Sequence, residues 1–280
     1  MQIAEARPEA TRFYVTALRA LTDARLPFLV GGAYSFERYT GIARDTKDLD
    51  LFVRRRDFDR ALAVIGSAGY RTEATFPHWL GKAFCGEDVV DVIFSSGNGC
   101  AVVDDEWFTN AVDATVLGLA VRLCPVEETI WSKAFIMERE RYDGADVAHL
   151  LRACAEGLDW RRLLRRFGPH WRVLLAHLVL FGFVYPGEAA RLPAWVMAEL
   201  TARLLHAQRR PAPVPPICCG TLLSRKQYLP DVAWGYRDGR LEHGTMSEDD
   251  VAVWTAAIDE DVLPKASDNG TERGAAGGDR

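Results

Sequence analysis

The chain has no Cys-x-x-Cys pair, although six cysteines occur among its 280 residues. Four of them stand singly, and the last two, Cys218 and Cys219, are adjacent. Zinc sites and disulfide frameworks usually show cysteines in regular pairs, which this sequence lacks. The pattern therefore favours reduced thiols in a cytoplasmic protein over a zinc site or a disulfide framework.

Long apolar runs and a basic leader are also missing. No stretch of eighteen residues is wholly apolar, and the start, MQIAEARPEA, has no basic segment followed by an apolar core. The sequence therefore predicts neither a membrane span nor a secretory signal. A basic excess is absent as well, because the formal net charge is −5. Any contact with nucleic acid would therefore need a local basic patch.

The order of predicted elements indicates an α+β first half and a helical second half. Strand and helix patterns alternate up to residue 124, whereas helical periodicity dominates from Val126 onward. We predict an α+β fold class, with a mixed, twisted sheet and flanking helices followed by a mostly helical domain. The predicted boundaries are an α+β domain at 1–124, a helical domain at 125–208, a proline-rich linker at 209–216, a C-terminal module at 217–266 and a disordered tail at 267–280.

Three acidic residues and a glycine pair carry the candidate chemistry. Gly31 and Gly32 follow a short apolar run, Asp48 and Asp50 alternate with leucines in a predicted strand, and Asp91 lies inside a later strand. Side chains two residues apart on a strand project to the same face. If the two strands are neighbours, three carboxylates therefore converge and repel each other. Magnesium is their natural partner, because it takes oxygen ligands and is shared with substrate phosphates.

The glycine pair complements the acids. Glycine lets the backbone approach a ligand closely, and the helix predicted to follow offers unpaired N–H groups. This predicts a cradle for a triphosphate, while two metal ions could clamp the attacking and leaving oxygens of an in-line displacement. Each feature also has an ordinary explanation, namely a plain turn for the glycines and a solvent-exposed edge for the Asp-x-Asp strand. Their occurrence together, in this order, favours the site over coincidence.

The stretch FLVGGAYSFERYTGIARDTKDLDLF resembles the signature of the nucleotidyltransferase superfamily, which has the DNA-polymerase-beta type of fold. It is most similar to the branch that contains AbiEii-type toxin transferases and related uncharacterised bacterial proteins. An R-x-[ST]-x-D-h-D pattern recurs in that branch, and RDTKDLD matches it at 44–50. The resemblance implies a nucleoside triphosphate substrate and two Mg²⁺ ions. It implies that Asp48, Asp50 and Asp91 are the metal ligands and catalytic residues, and the third acid usually also prepares the acceptor hydroxyl.

A second block supports the same resemblance. PVEETIWSK at 125–133 and RYDGAD at 141–146 are similar to patterns that such transferases often show. The resemblance places Asp143 and Asp146 in a second layer around the site. The nucleotide-binding residues that it implies are Gly31, Gly32, Arg44, Thr46 and Lys133.

These residues also have simpler explanations. Lys133 is equally well explained as a solvated lysine on an amphipathic helix. Asp143 is better explained as the N-cap of the helix that follows, and Asp146 either caps that helix or faces the site.

The arginines of the predicted helix at 160–167 could bind a nucleic-acid backbone. A solvated face whose charge is balanced by nearby acids is the favoured interpretation.

The sequence therefore predicts a magnesium-dependent enzyme that moves a nucleoside monophosphate to a hydroxyl and releases pyrophosphate. The acceptor stays open among an RNA end, a protein and a small molecule. A second hypothesis is a catalytically silent module that binds a nucleotide or a partner protein. A third is membership of a toxin–antitoxin pair.

Overall fold

The computed structural model describes residues 8–44, 46–209 and 211–262. The helices are α1 (Pro8–Asp23), α2 (Gly32–Thr40), α3 (Arg55–Ser67), α4 (Asp105–Thr109), α5 (Val126–Ala134), α6 (Gly144–Cys154), α7 (Trp160–Phe167), α8 (Trp171–Val184), α9 (Ala194–Ala207), α10 (Leu229–Ala233), α11 (Gly239–Glu242) and α12 (Glu248–Val262). The strands are β1 (Leu29–Val30), β2 (Asp48–Phe52), β3 (Arg71–Phe76), β4 (Leu80–Cys85), β5 (Asp88–Ile93), β6 (Val112–Val116), β7 (Leu119–Leu123), β8 (Ile217–Cys218) and β9 (Arg237–Asp238).

Seven strands form one mixed, twisted sheet in the order β3-β4-β5-β2-β1-β7-β6. β2 runs parallel to β5 and β1 runs parallel to β7, while the other neighbouring strands are antiparallel. β8 and β9 form a separate parallel pair. The predicted α+β class with a mixed sheet is therefore confirmed.

The two faces of the sheet pack against different layers. Leu49 and Leu51 of β2 are fully buried in a cluster to which α1 and α3 contribute Phe13 and Phe58. Phe52 packs instead into the cluster that contains the second-half helices. Because side chains alternate along a strand, Asp48 and Asp50 share the face of Phe52. The two carboxylates therefore point toward the helical half.

The second half is helical, as predicted. Helices α5 to α9 surround one apolar cluster that includes the fully buried residues Ile130, Leu151, Leu163 and Phe181. α6 contacts α2 of the first half as well as α5 and α8. Phe36 of α2 lies edge-on to His149 of α6, and Arg44, which follows α2, pairs with Asp146 in the first turn of α6.

The C-terminal segment packs back onto the rest of the chain. Asn98 donates a hydrogen bond of 2.7 Å to the Leu222 carbonyl, and Ser224 donates one to the Glu138 carboxylate. The Trp254 ring lies edge-on to Phe76. The domain boundaries given above stay predictions. The predicted tail at 267–280 and the end of the predicted module, 263–266, lie outside the described residues.

One helical stretch, Trp160–Val184, is long and apolar enough to cross a membrane by length and composition. About a third of its most apolar window is buried inside the protein. A core helix of a globular protein meets the same criteria. The expectation that the chain has no membrane span therefore stays a prediction.

Candidate active site

The glycine corner lies directly against one carboxylate. β1 is fully buried and is followed by Gly31, whose N–H donates a 2.9 Å hydrogen bond to the Asp50 carbonyl. Gly32 begins α2 with a φ of +55°, and a Cβ added to it would lie 1.7 Å from Asp50 Oδ2. Both the left-handed backbone and the close approach require glycine here. The corner therefore fixes where the Asp50 side chain can stand.

The three predicted carboxylates come together on one face of the sheet. β2 and β5 are parallel neighbours in a register that pairs Asp50 with Asp91, and Asp48 lies two residues earlier on the same face. All three are half-buried. Burial, followed by the charges of Asp48 and Asp91, raises the pKa of Asp50 to about 7. Asp48 and Asp91 therefore lie within electrostatic reach of Asp50, and their role as a common site stays a prediction.

Lys82 joins the site from β4, and the sequence analysis missed it. It pairs with Asp91 across antiparallel strands, and its Nζ lies 2.7 Å from Asp91 Oδ1. Burial raises the pKa of Asp91, while the hydrogen bond and charge of Lys82 oppose that rise. Lys82 therefore both orients Asp91 and favours its ionised form.

Thr46 holds another of the acids. Its Oγ1 donates a short hydrogen bond to Asp48 Oδ1. The predicted nucleotide-binding threonine thus contacts the predicted metal ligand directly. Thr46 therefore fixes the orientation of the Asp48 side chain.

The acids face a basic group that consists of Lys133, Arg141 and Arg44. Lys133 Nζ lies 2.9 Å from Asp143 Oδ2 and 2.8 Å from Asp146 Oδ2. Arg44 also pairs with Asp146, and Arg141 pairs with Asp143. The charges of Lys133 and Arg141 also act to lower the pKa of Asp50, so this group lies within electrostatic reach of it. The structure thus gathers cations opposite the carboxylates.

Asp143 does not act as the helix cap that the sequence favoured. It occupies the N-cap position of α6, but its side chain makes no capping hydrogen bond. Burial acts to raise its pKa, whereas Arg141 and Lys133 more than offset this and hold the pKa below its ordinary value. The reason is that two nearby cations bind a carboxylate more strongly than a single backbone N–H does. Asp143 and Asp146 therefore position the basic group.

Two of the four arginines of α7 form ion pairs with little exposure to solvent. Arg162 pairs with Glu127 and with the fully buried Glu128. Arg166 binds Glu128 and Asp104. The balance of charge by nearby acids agrees with the favoured interpretation, although Arg162 is buried rather than solvated. These ion pairs leave the two arginines engaged inside the protein.

The carboxylate set suits a divalent cation. Among the residues that the structure describes, no group of three or more His, Cys, Asp or Glu side chains is placed so that it could hold a metal ion. Even so, the acids supply only oxygen donors, which Mg²⁺ prefers. A bound cation would also relieve the repulsion that raises the pKa of Asp50. The donor chemistry of Asp48, Asp50 and Asp91 therefore fits Mg²⁺.

The raised pKa of Asp50 predicts a pH-dependent stability. The pKa is about 7 in the folded chain against an ordinary value of 3.8. Between these values the folded chain holds a proton that the unfolded chain has lost, so stability falls as the pH rises through this range. We expect Asp50→Asn to remove this part of the slope. Thermal unfolding of both proteins across that range in magnesium-free buffer checks it, and parallel slopes would contradict it.

Comparison with known proteins gave structural matches alone. No family model matches the chain, and no curated protein matches it. The antibiotic-resistance factor ANT(2'')-Ia matches at 18% identity and a TM-score of 0.43, covering 60% of this chain and 95% of that one. A nucleotidyltransferase-like antigenic protein from Paracoccidioides brasiliensis matches at 16% identity and a TM-score of 0.42, covering 65% of this chain and 91% of that one.

A third match is the lincosamide antibiotic adenylyltransferase LnuA, at 14% identity and a TM-score of 0.36, which covers 51% of this chain and 95% of that one. Because their TM-scores are below 0.5, these likenesses do not indicate an activity for this chain. One of these matches is named an adenylyltransferase and another a nucleotidyltransferase-like protein.

Proposed function

We propose that this chain is a magnesium-dependent nucleotidyltransferase that moves a nucleoside monophosphate from a nucleoside triphosphate to a hydroxyl acceptor. The observation that carries the proposal is the in-register pairing of Asp50 with Asp91 on parallel strands, beside Asp48 and the Gly32 corner. Carboxylates that repel one another next to a helix N-terminus suit a cation that is shared with phosphates.

The three acids have two roles, metal binding and proton transfer. Asp48, Asp50 and Asp91 would hold two Mg²⁺ ions, which when bound neutralise the charge that builds up on the α-phosphate and the leaving pyrophosphate. Asp91 takes the proton of the acceptor hydroxyl as its oxygen attacks. A bond forms between that oxygen and the α-phosphorus, and the bond from phosphorus to pyrophosphate breaks.

The glycine corner and the basic group would hold the triphosphate. The first N–H groups of α2, which follow the glycine corner, would offer donors to phosphate oxygens. Lys133 and Arg44 lie exposed or half-exposed on the opposite side, where their ion pairs with Asp146 preset their positions. When a phosphate replaces the Asp146 carboxylate as the partner of these two cations, their side chains move little, since both groups are oxyanions.

The Lys82–Asp91 ion pair predicts a change in the pH profile. Replacing Lys82 by Met removes the charge that opposes the raised pKa of Asp91. Asp91 then stays protonated to a higher pH and cannot take the acceptor proton. We expect the acidic limb of the pH–rate profile to move to higher pH in Lys82→Met. The same profile for Lys226→Met, which alters an exposed lysine, should match the unaltered protein, and an unshifted limb in Lys82→Met would contradict the role.

Transfer itself can be tested without knowing the acceptor. The chain is incubated with Mg²⁺, cell lysate and each of the four nucleoside triphosphates labelled at the α-phosphate. We expect one nucleotide to label one class of molecule, and nuclease, protease or size separation identifies that class as RNA, protein or small molecule. The label should be absent when Asp50→Asn replaces the unaltered chain. Equal labelling by the two proteins would refute the proposed site.

The same ion pair supports a second candidate, a catalytically silent module. A lysine at 2.7 Å from Asp91 already neutralises the carboxylate that would accept the proton. In that case the chain binds a nucleoside triphosphate in a magnesium-dependent way and produces no pyrophosphate with any acceptor. Equilibrium binding measured beside pyrophosphate release separates the two candidates.

A further inference from the structure

A short loop between α5 and α6 carries Arg141, one of the cations of the basic group. Two hydrogen bonds close the loop, from the Glu138 N–H to the Arg141 carbonyl at 2.8 Å and from the Asp143 N–H to the Ile136 carbonyl at 3.1 Å. The Arg141 side chain also holds the Asp143 carboxylate, with 3.1 Å from Nε to Oδ1 and 3.2 Å from Nη2 to Oδ2. The loop backbone therefore sets where the Arg141 side chain begins.

Arg141 can bind a second oxyanion besides Asp143. An arginine carries five N–H donors, and the pair with Asp143 uses donors on Nε and Nη2. The Arg141 side chain is 66% accessible, so a ligand can reach the remaining donors. Arg141 also lies within electrostatic reach of Asp50. Its guanidinium is therefore placed between solvent and the carboxylates, where a triphosphate would enter.

The C-terminal segment binds this loop through Glu138. The Glu138 carboxylate accepts hydrogen bonds from the Ser224 hydroxyl and from the Arg225 N–H, the second at 2.8 Å. The Met137 N–H also donates to the Leu223 carbonyl, at 3.1 Å. Three consecutive residues of the segment are thus joined to two consecutive residues of the loop.

The C-terminal segment is itself held in place next to this contact. Leu222 is buried in the apolar cluster of the helical half, and its carbonyl accepts a 2.7 Å hydrogen bond from Asn98. Ser224 is 1% exposed, so its hydrogen bond to Glu138 is shielded from water. Such a bond to a charged group is stronger than an exposed one. Glu138 therefore has a fixed partner, and it lies three residues before Arg141.

Given the proposed nucleotidyl transfer, on which this step rests, we propose that Arg141 binds the triphosphate together with Lys133 and Arg44, and that Glu138, held by Ser224, positions Arg141 for this role. Glu138 is a positioning residue, because it acts on the nucleotide through the loop and Arg141. The C-terminal segment thereby supports nucleotide binding from behind the loop.

The test is equilibrium binding of each of the four nucleoside triphosphates with Mg²⁺, measured by calorimetry on the full chain. Arg141→Gln should weaken binding of the preferred nucleotide about 10-fold, the loss expected when a hydrogen bond between charged groups is removed. Glu138→Ala should weaken binding by no more than Arg141→Gln does. In the Arg141→Gln background, Glu138→Ala should cause no further loss, because its effect passes through that arginine.

Arg139→Gln and Glu140→Ala are the matched controls. They alter the two residues between Glu138 and Arg141, whose side chains are 82% and 88% accessible. Both variants should bind the nucleotide like the unaltered chain. Ser224→Ala removes only a hydroxyl and should reproduce part of the loss seen in Glu138→Ala, so it tests the same contact if Glu138→Ala does not fold. Circular dichroism of each variant confirms folding.

The possible failures are distinguishable. If the unaltered chain binds none of the four nucleotides, the proposed function is overturned, and the role of Arg141 with it. If the unaltered chain binds one of them and Arg141→Gln binds it equally well, the role of Arg141 alone is overturned. An equal loss from Glu138→Ala in both backgrounds overturns the positioning role, since it shows an effect that does not pass through Arg141.

Discussion

Asp50→Asn is expected to lower magnesium-dependent pyrophosphate release on the order of 1,000-fold or more, since it removes a central ligand from the carboxylate set. The same change should leave the thermal unfolding temperature unchanged or higher at neutral pH and above. The reason is that the pKa of Asp50 is raised to about 7 by burial and by Asp48 and Asp91, so its charge is a cost to the fold. Activity and stability are therefore expected to move in opposite directions.

The control for this prediction is Asp59→Asn. Asp59 is an exposed carboxylate on α3, with 78% of its side chain accessible. Surface changes of this kind usually alter stability by less than about 0.5 kcal/mol, and we expect full activity. A drop in activity that accompanies an equal loss of folded protein in Asp50→Asn would show a structural role for Asp50 instead.

Gly32→Ala is expected to abolish activity through Asp50. The added Cβ would lie 1.7 Å from Asp50 Oδ2 and 2.7 Å from its Cγ, so the carboxylate has to move. A misplacement of about 1 Å in a reacting group can cost about 100-fold in rate. The left-handed backbone, with φ at +55°, adds roughly 1–2 kcal/mol of instability for a residue with a side chain. Steady-state pyrophosphate release and denaturant unfolding measure the two effects.

Gly41→Ala is the matched control because it lies at the other end of the same helix. Gly41 caps α2 with a φ of +72°, and a Cβ added there meets no atom within 4 Å. The backbone cost should therefore be similar, roughly 1–2 kcal/mol, without a loss of activity. If the two alanine variants lose activity equally, the close approach of Gly32 to Asp50 has no functional importance.

The sequence located the carboxylates because their signal is local. Alternation of Asp48 and Asp50 with leucines fixes a shared face, and the apolar neighbours of Asp91 mark a buried strand. The parallel register that sets Asp50 beside Asp91 is a tertiary fact. No local pattern could supply it, so it was a prediction that only the folded chain could confirm.

Lys82 was missed because β4 was missed. The run Leu80–Cys85 contains a glycine and a lysine, which interrupt the apolar pattern of a strand. A Cβ at Gly81 would nevertheless come within 2.9 Å of the Phe58 ring, so a larger residue there would have to displace a buried side chain. The role of Asp143 was predicted wrongly because its partners are distant from its helix. Its position before α6 predicts a cap. Its cationic partners Lys133 and Arg141 come instead from α5 and the following loop.

Binding of Mn²⁺ as a substitute for Mg²⁺, counted by electron paramagnetic resonance of the free ion, tests most directly whether the three carboxylates share a cation site. In the presence of a nucleoside triphosphate, the unaltered chain should bind Mn²⁺ beyond what the nucleotide alone binds. That excess should be lost in Asp50→Asn and in Gly32→Ala and kept in Gly41→Ala. An equal excess in Asp50→Asn and the unaltered chain would contradict the account.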